Sequence, residues 1–313
     1  MGKSIIKNLF KKQAVLMVFI FLFIIFAFFV PSFFSARNLI NILKQSAILG
    51  IVACGLTFPV IAGNVDLSVG SIVSLCGVVA LSLSYQSIWL AIFIPIVLAV
   101  IIGLINGFIV TKFNANSVII TLGSLAVIRG LALIYTGGKM VEGSDASKFI
   151  LIGRSLIGGV PAYIFIFIII AVILGIVLNF TTLGRFVYHI GSNIEAGKIA
   201  GINIDNIRIY TFIISAVASA LAAIILSSRL YTASPLTGNG YEFDAVAAIV
   251  VGGSSLFGGK GNIYRTVIGI FFIVMVINAM ILLNLPVAFQ YIAKAVIIVV
   301  AVWLDIRTSR VII

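Results

Sequence analysis

The chain has 313 residues, of which 62% are hydrophobic and only 9% charged, and its mean hydropathy is +1.31. Water-soluble domains carry about 25% charged residues, so this composition excludes one. The formal net charge of +12 comes without an arginine-rich arm or interleaved aromatics, so nucleic acid is not an expected partner. The excess of Lys and Arg reads instead as a sign of orientation, because cytoplasmic loops of membrane proteins accumulate both. A span needs about 20 apolar residues, and the apolar runs here are continuous rather than alternating. That predicts an all-α fold, a polytopic membrane helix bundle of about ten transmembrane helices forming one domain over 1–313.

In chain order, Lys3, Lys7, Lys11 and Lys12 precede residues 13–36, which hold no charge. The run is too long for a signal peptide and no small-x-small cleavage site follows, so it reads as an uncleaved first span. A short outside turn with Arg37 and Lys44 leads to a second span over about 45–63. Next comes IAGNVDLSVGS (61–71), where Gly63, Asn64, Asp66, Ser68 and Gly70 interrupt an apolar course. Spans three and four run to about Val110, divided near Tyr85, Gln86 and Ser87, and Lys112 marks a cytoplasmic turn. Span five covers 117–136 and contains Arg129.

Residues 137–160 are polar and glycine-rich, with Lys139, Glu142, Asp145, Lys148 and Arg154, and form an exterior segment. Span six (162–179) descends to a wet loop at 181–208, and span seven (209–226) climbs out again. A second glycine-interrupted stretch, YEFDAVAAIVVGGSSLFGGKGNIYR (241–265), belongs to span eight. Spans nine (266–283) and ten (288–304) end at Asp305, Arg307 and Arg310.

Ten spans put both termini and the 181–208 loop on the cytoplasmic side. Of the 20 Lys and Arg residues, twelve then lie inside, six outside, and Arg129 and Lys294 within spans. The two-to-one bias favours this sidedness. Eight spans would give the same orientation of the ends.

Breaks in two membrane helices point to a solute path, because unwound backbone at membrane depth survives only where protein or a wet cavity satisfies it. The competing reading is that small residues let helices pack closely. The breaks place Gly63, Asn64, Asp66 and Ser68, with Gly252 and Gly253, as candidate path residues, and Arg129 joins them as an ionisable group inside a span. Charges there cost about 2.5–3.5 kcal/mol each on insertion scales, so pairing is expected. Asp66 with Arg129 and Asp244 with Lys294 are the natural guesses.

No catalytic constellation is present in the sequence. His189 lacks carboxylate or cysteine neighbours at metal spacing, and Cys54 and Cys76 sit inside apolar segments as buried free thiols. GGKGN (258–262) is not a phosphate loop, since Lys260 is followed by Gly261 rather than Ser or Thr. The chain therefore binds no cofactor of its own, and any ATP and Mg belong to another subunit.

The loop at 181–208 carries a helical pattern. Ile194, Ile199 and Ile202 fall at helical spacing, with Glu195, Lys198 and Asn203 between them, so one face is expected to pack on protein while the other stays wet. Gly201 is a helix stop. On its own this is also what an ordinary cytoplasmic surface helix looks like.

Four stretches together resemble the ribose-type permeases of bacterial ATP-binding-cassette importers: GLTFPVIAGNVDLSVGS (55–71), VIITLGSLAVIRGLALIYTGG (118–138), TLGRFVYHIGSNIEAGKIAGI (182–202) and AAIVVGGSSLFGGKGN (247–262). They occur in the family's order and cover nearly the whole chain. The resemblance implies two related halves, a homodimer or paired permease, two cytoplasmic ATPase subunits and an extracellular or periplasmic sugar-binding protein. It places the chain in the bacterial inner membrane among lipid. It implies that Glu195, Ala196, Gly197, Lys198 and Gly201, with Arg185 upstream, form the element that docks on the ATPase. Gly197 stands where the family has a second alanine, and Asn64 where it usually has glycine. The solute is expected to be a pentose or hexose, with a nucleoside or furanone as the alternative. An ion-coupled secondary transporter is the rival class, and would use Asp66 and Asp244 as relays.

Overall fold

The computed structural model describes residue 17, residues 19–143 and residues 148–309. The lysines at 3, 7, 11 and 12, with Asp145 and Arg310, lie outside the described residues.

Helix α1 (Phe19–Phe29) leads to α2 (Ala36–Ile61). Ser35 caps α2, its Oγ accepting from Asn38 N at 3.3 Å. The helix thus starts before the expected second span, and Arg37 and Lys44 lie in its first turns rather than in a loop. Asn38 explains why: it is 6% exposed, and its amide exchanges two hydrogen bonds of 2.9 Å with Asn278 of α12 (Ile263–Leu282). Thr57 and Thr266 join the same two helices by a hydroxyl pair at 3.0 Å.

The core is built by α2, α3 (Val69–Leu83) and α10 (Ile204–Leu230), most of whose residues are buried. Small residues make this possible. A Cβ at Gly103 or Gly107 of α4 (Ile88–Lys112) would fall 2.7 Å from Ile213 Cα or 2.8 Å from Ile209 Cα of α10. In a bundle where the lipid is as apolar as the side chains, such close backbone approach is what holds helices together. Outside this core, α4, α5 (Ser117–Thr136) and α7 (Ala162–Phe180) are mostly unburied and carry exposed apolar residues such as Phe108, Val127 and Ile168.

Among the described residues, six helices are long and apolar enough to cross a membrane: α2, α4, α5, α7, α10 and α12. Shorter apolar stretches are Phe19–Phe29, Val69–Leu83 and, within α13 (Val287–Ser309), Val287–Trp303. The expected eighth span is realised differently. Its helix, α11 (Tyr241–Val251), has 11 residues, about 16 Å at 1.5 Å per residue, roughly half of a bilayer core. Pro235, Gly238 and Gly240 hold the chain irregular before it, and Gly252 and Gly253 end it.

The segment after α5 folds over one end of the bundle. Strand β1 (Val141–Glu142) pairs antiparallel with β4 (Thr232–Ala233), and β2 (Leu156–Ile157) with β3 (Val160–Pro161). The short α6 (Ile150–Arg154) seats on the end of α10: Gly153 N donates to Ser228 Oγ at 2.8 Å, and Ser228 Oγ donates to Phe149 O at 2.6 Å. At the other end, between α7 and α10, lie α8 (Thr182–Ser192) and α9 (Ile194–Ile199).

Candidate functional site

The first helix break, residues 62–68, is fastened by side chains from three other helices. Val65 N donates to Ser117 Oγ and Leu67 N to Thr121 Oγ1, each at 3.0 Å. Asp66, fully buried, accepts from Ser68 N at 3.0 Å and Ser68 Oγ at 2.6 Å on one oxygen, and from Ser215 Oγ of α10 at 2.9 Å on the other. Asn106 of α4 donates to Ser68 Oγ at 3.0 Å. Unwound backbone at this depth is thus satisfied by hydroxyls and amides rather than by an opposite charge.

The second break is re-entrant. After β4, residues 234–240 turn back into the bundle, where Ser74 Oγ donates to Pro235 O at 2.6 Å and Arg129 Nη1 to Pro235 O at 2.9 Å and Thr237 O at 3.3 Å. Glu242 then sits 3% exposed in the first turn of α11, and Asp244 pairs with Lys294 of α13 at 2.8 Å. Past α11, Ser255 Oγ and Leu256 N both donate to Asp305 Oδ2 at 3.1 Å, tying the 252–262 loop to the end of α13.

The loop at 181–208 is two capped helices. Thr181 Oγ1 accepts from Gly184 N at 3.3 Å to start α8, Asn193 Oδ1 from Ala196 N at 3.0 Å to start α9, and Asn203 Oδ1 from Asn206 N at 3.1 Å to start α10. Gly201, at φ +74°, stops α9, and Ile202 N reaches back to Gly197 O at 3.1 Å. Glu195 and Lys198 form an exposed pair at 2.8 Å that contributes little by itself. Gly197 is buried, with Ile190 and Ile204 beside it.

This element touches the end of α2, just before the first break, and the 252–262 loop. Gly259 N donates to Ile61 O, the last carbonyl of α2, at 2.8 Å. Gly191 of α8 lies against the same carbonyl. Tyr188 donates to Gly261 O at 2.8 Å, and burial pushes its phenol above the ordinary range, which keeps the donor proton in place.

The profile of a family described as "Branched-chain amino acid transport system / permease component" matches residues 38–302. The chain belongs to this permease family. The permease is similar, at 39% identity over 280 residues, to the ribose import permease protein RbsC of Haemophilus influenzae, covering 88% of this chain and 87% of that one. It is 36% identical over 288 residues to the RbsC of Bacillus subtilis, covering 89% and 88%. It is 38% identical over 297 residues to the L-arabinose transport system permease protein AraH of Escherichia coli K12, covering 94% and 90%. No solved structure matches it significantly. As a permease component it is not an enzyme.

Within the permease, the geometry gathers Asp66 and Ser68 into one polar node, while Asn64 is buried, its side-chain amide donating to Ala62 O at 3.3 Å and its backbone N to Pro59 O at 2.8 Å. Arg129 belongs elsewhere: it grips the re-entrant turn, and the expected Asp66–Arg129 pair does not form, the carboxylate being held instead by Ser68 N, Ser68 Oγ and Ser215 Oγ. Asp244 and Lys294 do pair. Gly252 and Gly253 terminate α11 beside Arg265. Arg185 is exposed on α8. Ile194 and Ile199, expected to pack on protein, are 37% and 89% exposed. Glu242 went unremarked in the sequence, although the Pro235, Gly238 and Gly240 turn signals before it mark an interrupted span.

Proposed function

We propose that this permease is the membrane subunit of an ATP-driven importer for a monosaccharide, a ribose-like pentose or a hexose. The names of its relatives, ribose and L-arabinose permeases, support the solute class. Partner ATPases carry the ATP and Mg and bind the loop at 181–208, and a sugar-binding protein delivers solute at the opposite face. Residues 1–313 act as one domain, as one of two copies in the bacterial inner membrane among lipid, with about ten spans and both termini in the cytoplasm.

The observation that carries this reading is the tip of α9. Ile199 is 89% exposed next to the exposed Glu195 and Lys198, on an element whose other end abuts the last carbonyl of α2 and the 252–262 loop. An apolar side chain that open to solvent, ringed by charge, suits a protein partner. ATP-driven movement of that partner would push α9 and α8 and, through Gly191, displace the breaks. The two carboxylates that an ion-coupled carrier would need are engaged already, Asp66 by Ser68 and Ser215 and Asp244 by Lys294.

Co-purification with the ATPase and binding protein, followed by reconstitution in liposomes, tests it. Uptake of D-ribose or L-arabinose should require ATP and both partners. Uptake driven by an ion gradient through this chain alone would contradict it.

A further inference from the structure

Among the described residues, two buried polar atoms at the re-entrant turn have no hydrogen-bond partner. Arg129 uses Nη1 on the carbonyls of Pro235 and Thr237, at 2.9 and 3.3 Å, while its Nη2 is buried without a partner. Glu242 is 3% exposed; its Oε1 accepts from Gly240 N at 3.3 Å, and its Oε2 is likewise buried without a partner. Both side chains serve the same turn and attract one another through space, yet they do not close into a direct pair. Buried donors and acceptors are costly to leave unmade, and nearly all native ones are paired.

The room around Glu242 depends on a glycine. A Cβ at Gly70 of α3 would fall 2.1 Å from Glu242 Oε2 and 2.6 Å from Gly238 O. Any side chain there would displace the carboxylate. Arg129 lies 12 residues into α5, about 18 Å along it at 1.5 Å per residue, which is near the middle of a membrane core.

We propose that Arg129 Nη2 and Glu242 Oε2 together bind one hydroxyl of the transported solute, making the re-entrant turn a polar subsite of the path. The chemistry is specific. A hydroxyl is at once donor and acceptor, so it can donate to the carboxylate and accept from the guanidinium. The opposite charges cancel, so the subsite suits a neutral polyol and neither an anion nor a cation. A trapped water offers the same O–H chemistry. The inference rests on the monosaccharide reading above.

The test uses the permease assembled with its ATPase and binding protein in liposomes, with tritiated D-ribose and ATP. Arg129→Lys keeps the charge and can hold the turn from its one nitrogen, as Nη1 does, but lacks the second planar arm that Nη2 presents to a hydroxyl. Glu242→Gln keeps the shape and loses the charge. Each variant should cut the maximal uptake rate at least tenfold, with the melting temperature of the complex unchanged. Wild-type uptake in both variants overturns the proposal. A loss of uptake that tracks a fall in melting temperature also overturns it, since that marks a structural water. If the unaltered complex moves neither D-ribose nor L-arabinose, the monosaccharide reading fails, and the hydroxyl subsite falls with it.

Discussion

Gly191 presses on Ile61 so closely that a Cβ on residue 191 would lie 1.8 Å from the Ile61 carbonyl oxygen and 2.6 Å from Gly259 N. Helix α8, the end of α2 and the 252–262 loop therefore meet backbone to backbone, with no flexible side chain between them. Well-packed contacts of this kind pass displacement on rather than absorb it. Gly191→Ala should lower the melting temperature of the permease, by the equivalent of about 1–3 kcal/mol for an overpacked site, and abolish uptake. Melting in detergent together with uptake checks this; wild-type values for both would mean that the junction is loose.

Six residues further on, the same substitution should have the opposite sign. A Cβ at Gly197 would meet Ile190 Cγ2 at 3.7 Å and Ile204 Cδ1 at 4.0 Å, ordinary contact distances. Gly197→Ala should stabilise α9 by about 1 kcal/mol through helix propensity, raise the melting temperature slightly and leave uptake intact. Loss of uptake would show that the glycine is needed by the partner and not tolerated merely by this chain.

Asp244 and Lys294 are 12% and 25% exposed, and their pairing joins α11 to α13. Removing one partner strands the other charge. Lys294→Met should cost about 3 kcal/mol, the low end of the range for a buried pair given its partial exposure. Adding Asp244→Asn should recover most of that, because no charge is then left behind. Thermal melting of the two single variants and the double variant gives the coupling directly.

The Asp66 node predicts a failed rescue. Asp66→Ala leaves Ser68 N, Ser68 Oγ and Ser215 Oγ without their shared acceptor, at about 1–3 kcal/mol for each unmade bond. Exchanging the charges as Asp66→Arg with Arg129→Asp should be no better than the worse single variant, since the two side chains hold different segments. Membrane insertion and melting restored by the exchange would show that they do interact.

Much of this arrangement was legible as sequence. Long apolar runs announce α4, α5, α7 and α12, and the stop at Gly201 follows from a glycine after a helical pattern. The Asp244–Lys294 pair follows from the cost of two lone charges among apolar residues. What escaped was whatever depends on uncharged partners or on depth. Asp66 is satisfied by Ser68 and Ser215, which no search for an opposite charge would find. The start of α2 was misplaced because Asn38 reads as a loop residue until Asn278, 240 positions away, supplies its complement. The unwound turn at 234–240 carried its own proline and glycine signals, but the acids after it lay in a run apolar enough to pass for a span. Ile194 and Ile199 lie five residues apart, about 140° round a helix, so they do not form one packed face, and both stay exposed.

Glu195→Lys measures the central claim most directly. Glu195 is exposed and its carboxylate pairs with the likewise exposed Lys198, so the reversal should leave the fold and melting temperature of the permease unchanged. Attachment of the ATPase and ATP-dependent sugar uptake should both be lost. Normal attachment and normal uptake in that variant would contradict the idea that the loop at 181–208 receives the ATPase's motion.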